Sequence, residues 1–119
     1  MDKPDYLDRI EQLKGLKIPY NVNSERDFDS FTATMPIYRR ANLFVTRKGN
    51  LRAVWKSSDT AHKHVGAEFL GNGWVKCVVW NSDDGMLGFN NRHSEQTSFA
   101  GFKKILKDAR LLSFLRLPA

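Results

Sequence analysis

The chain has a single cysteine, Cys77, which cannot form an internal disulfide and suits a reducing compartment. Long apolar runs are missing as well, and no stretch approaches the roughly 18 residues needed to cross a bilayer. The opening Met1-Asp-Lys-Pro-Asp5 carries charge where a secretory leader would be apolar. These shortages lead to the expectation of a cytoplasmic protein without membrane association. Acidic residues are scarce in two places. Residues 38–64 hold seven Lys/Arg against Asp59 alone, and residues 103–119 hold five against Asp108 alone. The net charge of +6 is therefore concentrated rather than spread. Such clustering is the electrostatic footprint of a binder of nucleic acid or of an acidic protein, with a merely solvated surface as the alternative.

Motifs for common chemistry are also lacking: there is no Gly-x-Ser-x-Gly, HExxH or paired CxxC. His62-Lys-His64 has the look of a metal pair, but the lysine between is repulsive and no Cys or carboxylate cluster completes a site. Cys77 stands among valines, the setting of an inert buried thiol. Gly71-Asn-Gly73 precedes a strand pattern, not a helix, so it reads as a turn rather than a phosphate loop. No cofactor and no metal are expected.

What is present is strand patterning. Asn42–Arg47 and Leu51–Lys56 flank Lys48-Gly49-Asn50, and His64–Leu70 and Trp74–Trp80 flank Gly71-Asn72-Gly73. Alternation puts Leu43, Val45, Leu51, Ala53, Trp55, Val65, Ala67, Phe69, Val75, Cys77 and Val79 on one face. Directly paired residues share a face, so Val45 is expected opposite Ala53 and Phe69 opposite Val75, each leaving a three-residue loop that Gly or Asn makes cheap. Pairing Trp55 with Val65 then sets a row Thr46–Arg52–Glu68–Lys76 across the other face, with His64 between Lys56 and Trp80.

The flanks read as helices. Residues 4–14 carry an apolar stripe of Leu7, Ile10 and Leu13, with Asp5 as cap and Gly15 as stop. Ser24-Glu-Arg-Asp27 resembles a capping box opening a helix over 25–34. Met86 to Phe89 suggests a short edge strand and Asn90 to Gln96 a polar loop. Thr97 or Ser98 then caps a helix through Phe99, Phe102, Ile105, Leu106 and Ala109, continued by Leu111, Leu112, Leu115 and Leu117. The expected architecture is α+β: one domain over 1–119, a four-stranded antiparallel meander packed in two layers against N- and C-terminal helices.

The second sheet face is where function would lie. Phe44, Val54, Val78 and Trp80 are apolar for a purely solvated surface, and Arg39, Arg40, Arg47, Lys48, Arg52, Lys56, His64 and Lys76 supply charge around them. Such a patch marks a binding face for protein or for unstacked bases. Two simpler readings compete: a basic–acidic–basic row that only stabilises the sheet, and coverage by the C-terminal helix. An uncovered face or edge strand could also pair two copies. The enzymatic alternative is a metal-free ribonuclease like the small basic toxins, with Arg52, His64, Glu68, Arg92 and His93 as the cation and proton-transfer groups that 2′-hydroxyl attack needs.

Ser24-Glu-Arg-Asp-Phe28, Arg39-Arg40, Gly49-Asn-Leu-Arg-Ala-Val-Trp55, His64-Val-Gly66, Glu68-Phe-Leu-Gly71 and Gly101-Phe-Lys-Lys-Ile-Leu106 occur together here. In these segments, spread over most of 24–117, the chain resembles a family of short uncharacterised bacterial proteins. The resemblance implies a small intracellular interaction module, of the kind found in toxin–antitoxin, mobile-element or defence gene pairs. It transfers no catalytic residue or ligand.

Overall fold

The computed structural model describes residues 2–57, 62–82 and 92–118. Among the described residues, five antiparallel strands form one sheet in chain order: β1 (Asn42–Val45), β2 (Leu51–Lys56), β3 (Lys63–Phe69), β4 (Trp74–Asn81) and β5 (His93–Ser98). Helices α1 (Leu7–Lys14) and α2 (Val22–Thr34) precede the sheet, and α3 (Phe99–Asp108) and α4 (Leu112–Arg116) follow it. The fold is α+β, with one strand more than the expected four. The additional strand, His-Ser-Glu-Gln-Thr-Ser, falls where a polar loop was expected. It has no apolar alternation because only Thr97 among its residues is buried, and a polar edge strand discourages pairing with other chains. The strand expected over Met86 to Phe89 lies outside the described residues.

All eleven residues assigned to the core face are buried except Val45, which is half-buried. They meet an aromatic cluster from the helices: Phe31 of α2 stacks on Phe102 of α3 at 5.0 Å, and Phe28 meets Phe69 edge-on at 5.5 Å. The pairings Trp55–Val65 and Phe69–Val75 are as expected. The first hairpin is shifted by two residues: Val45 opposes Leu51 and Leu43 opposes Ala53. Its loop is Arg47-Lys48-Gly49, closed by the Thr46 N–H donating to the Asn50 carbonyl at 2.9 Å. Gly49 takes the left-handed position, φ 85°. A Cβ there would come within 2.9 Å of the Pro19 backbone, so backbone conformation and close approach both require glycine.

Helix α2 starts earlier than the capping-box reading places it. Asn21 is its cap, accepting from the Asn23 N–H at 3.0 Å. Ser24 and Asp27 are used instead to tie α2 to the hairpins. The buried Ser24 hydroxyl donates to the Phe69 carbonyl and accepts from the Leu51 N–H, and the Asp27 carboxylate accepts from Gly73 N–H at 2.9 Å. Ser24→Ala leaves two buried backbone groups without this partner, and we expect it to lower stability by about 1–3 kcal/mol in urea unfolding. An unchanged midpoint would show that the hydroxyl is dispensable. In α1, Asp5 does accept from the Leu7 N–H, at 2.9 Å, with Tyr6 at the cap position.

The C-terminal segment is two helices rather than one. Arg110 takes a left-handed conformation, φ 58°, and the Leu111 N–H closes back to the Leu106 carbonyl at 2.9 Å, a Schellman-type end. The side chain of Asn81 donates to the buried carbonyl of Ala109 at 2.8 Å. The chain then turns, and α4 seats Phe114 and Leu115 in the core. Among the described residues, no helix is long and apolar enough to cross a membrane.

Candidate functional site

With the four described helices serving the apolar face, none of them covers the second face of the sheet, the C-terminal pair included. Register arranges this face in rungs. One end rung is Lys56–His64–Trp80 and the other is Phe44–Arg52–Glu68–Lys76–Gln96. Thr46 is thereby displaced from the row in which it was expected, and Phe44 stands beside Arg52. Between the two lies a rung of short side chains, Val54–Gly66–Val78–Ser94. The result is a trough across the strands. Its walls are four residues apart, about 13 Å along a strand, and it crosses β2 to β5, about 14 Å at the usual strand spacing. A depression of about 370 Å³ in it is lined by Arg52, Gly66, Glu68, Lys76, Val78 and Gln96, among others.

Gly66 forms the floor. A Cβ there would lie 3.3 Å from His64 Nε2 and 3.4 Å from the Arg52 guanidinium, so both side chains lean over the glycine from opposite walls. His64 Nε2 is buried and has no hydrogen-bond partner among the described residues. Burial, reinforced by the charges of Arg92, Arg52 and Lys56, pushes the His64 pKa below its ordinary value and keeps the ring neutral at pH 7.

The expected charge row does not form as ion pairs. The only acid on this face among the described residues, Glu68, turns toward the first hairpin, where its Oε2 accepts from Asn50 Nδ2 at 2.9 Å. Arg52, Lys56, Lys76 and Arg92 make no salt bridge among the described residues. Three large aromatics are exposed on the same face: Phe44 at 47%, Trp74 at 46% and Trp80 at 36%. Trp74 and Gly66 were not singled out in the sequence, although the parity of Lys76 and of His64 places both there. Ser94 and Gln96 could not be placed, because β5 was unrecognised.

Other residues picked from the sequence lie elsewhere. Arg47 and Lys48 sit exposed in the first hairpin loop. Arg39 is a structural strut: its guanidinium lies 4.2 Å from the Phe114 ring centre and donates through Nε to the Phe114 carbonyl at 3.0 Å. Arg40 covers Tyr6 at 5.0 Å and donates to the Asp5 carbonyl. His93 pairs with Val79 and so faces the helix side, where it meets Glu95 at 2.9 Å. It is thus separated from His64 by the sheet. Glu68 is about 13 Å from His64 along β3 and turned away, so the described residues do not assemble the acid–base pair of the ribonuclease reading. Cys77 is buried on the core face, and burial raises its thiol pKa. No group of three or more His, Cys, Asp or Glu could hold a metal among the described residues. The β1 edge, one route to pairing two copies, has its Leu43 carbonyl occupied by the Arg9 guanidinium at 2.9 and 3.1 Å.

Comparison with protein-family models, curated proteins and solved structures finds no match to this chain.

Proposed function

We propose that the protein is a non-enzymatic binding module that takes single-stranded nucleic acid across the open sheet face. The observation that carries this reading is the trough itself: short side chains along its floor, and cations without ion-pair partners among the described residues along its walls. A fold that needed these charges only for sheet stability would pair them with Glu68; here Glu68 is engaged with Asn50. The positive field of these cations attracts phosphates. Exposed Phe44, Trp74 and Trp80 offer faces on which unpaired bases stack, a contact worth about 1–3 kcal/mol per base. The trough is far narrower than a duplex-binding surface would need to be, and it carries no helix to enter a major groove. The resemblance to short bacterial proteins agrees with an intracellular interaction module, and a role beside a neighbouring gene product remains compatible with it.

Oligouridylate and oligo-dT titrations, followed by quenching of Trp74 and Trp80 over a range of salt, test the proposal. Log affinity is expected to fall linearly with log salt, and Arg52→Ala and Lys76→Ala should each reduce the slope by about 0.7. Absence of binding to either oligomer at low salt overturns it. Stoichiometric co-purification with a neighbouring gene product, in place of nucleic acid, would direct the same face to a protein partner.

A further inference from the structure

We infer that the space above Gly66, between His64 and Arg52, is a subsite for a single phosphate group, and that His64 takes up a proton when the phosphate is bound. The inference rests on the nucleic-acid reading for its natural ligand, and on geometry for the site. Two nitrogen-bearing side chains from facing walls converge on one point over a glycine, 3.3 and 3.4 Å from where a Cβ would stand, at the margin of the depression that Arg52 and Gly66 line. His64 Nε2 lacks a hydrogen-bond partner among the described residues, a state that a buried polar atom rarely keeps without a use.

The groups around His64 are almost all of one sign. Lys56 is its direct neighbour on β2, Arg52 leans across Gly66, and Arg92 lies beyond Trp80 where the β4–β5 register extends. Lys76 stands one strand over on the far wall, and Glu68, on the same wall, is held by Asn50. In the free protein burial, and then this surrounding field, disfavour imidazolium. A phosphate oxygen reverses the balance, because an anion at hydrogen-bond distance favours the charged ring. The sign follows: the free-state pKa lies below the ordinary histidine value and the bound-state pKa above the free one. Affinity therefore rises as pH falls through the interval between them, and is flat outside it.

The test is a histidine titration by NMR in the full chain, with His64→Gln assigning the resonance among the three histidines. It is recorded in chloride, in sulfate and with oligo-dT, whose bases and phosphodiesters do not change charge across the range used. Sulfate and oligo-dT are both expected to move the His64 titration to higher pH. Oligo-dT should bind more tightly at pH 5.5 than at pH 8, by up to about tenfold for each unit by which the bound phosphate raises the His64 pKa. His64→Gln should abolish this dependence, leaving the same affinity at pH 5.5 as at pH 8. Oligo-dT binding with the His64 titration unmoved, or pH dependence surviving in His64→Gln, overturns the subsite and leaves the binding face standing. A shift with sulfate but no oligo-dT binding keeps the subsite and overturns the nucleic-acid reading. No shift with sulfate and no oligo-dT binding overturns both.

Discussion

Trp55→Ala is expected to lower the unfolding free energy by about 3–5 kcal/mol, a large part of the roughly 5–15 kcal/mol typical of a domain this size. Trp55 is the largest fully buried side chain among the described residues, at 1% exposure on the interior strand β2. The indole does more than fill volume. Its Nε1 donates to the Arg39 carbonyl at 3.1 Å, in the stretch that leads from α2 to β1. The side chain of that arginine packs on Phe114 of α4, and the Tyr38 and Arg39 N–H groups both donate to the Leu115 carbonyl at 3.0 Å. One side chain thus holds the sheet, the α2–β1 connection and the last helix together. Urea unfolding by circular dichroism checks the magnitude. Trp55→Phe separates the two contributions, since it retains most of the volume but leaves the Arg39 carbonyl without its donor, at about 1–3 kcal/mol. A Phe variant as stable as the parent would assign the whole effect to packing.

How much of this was legible in the sequence depended on which physical signal each element left. Alternation fixed the faces of β1 to β4 because a slip by one residue would turn Leu43, Ala53 and Val65 to solvent. A slip by two leaves the faces unchanged, so alternation could not decide between Val45–Ala53 and the observed Val45–Leu51. The turn decided it, with Gly49 rather than Asn50 taking the left-handed position at the end of the loop. Strand β5 left no signal, since an edge strand with His93, Glu95 and Gln96 exposed has no apolar face to display. The break after α3 was equally silent, because Arg110 occupies a left-handed position usually given to glycine and its cost is met by Asn81, nearly thirty residues away. Ser24 and Asp27 were read locally as a cap, but their partners, Leu51, Phe69 and Gly73, lie in other elements. The candidate site divides in the same way. Its walls, Arg52, Lys56, His64, Lys76 and Trp80, follow from strand parity. Its floor needs the register of four strands at once, and the lack of ion pairs among its described residues is a matter of where Glu68 turns.

Gly66→Val is expected to weaken single-strand binding by about 10- to 100-fold while leaving the fold intact. The backbone at Gly66 does not need glycine, being absent from the positive-φ positions, and valine is favoured in a central strand. A Cβ would meet the ends of His64 and Arg52 at 3.3 and 3.4 Å, atoms of side chains that can swing aside toward solvent. Thermal stability should therefore change by no more than about 1 kcal/mol. Binding is another matter. The two branches of valine occupy the space over the floor and drive His64 and Arg52 apart, removing at least one charge-assisted hydrogen bond to phosphate, worth about 1.5–3 kcal/mol. At 1.4 kcal/mol per factor of ten, this is the stated loss. The variant keeps every charge on the protein, so a purely diffuse electrostatic attraction would be unaffected and the salt slope unchanged. Unaltered affinity in Gly66→Val, with Arg52→Ala still impaired, would show that the face attracts phosphates through its field alone and that the trough has no occupant.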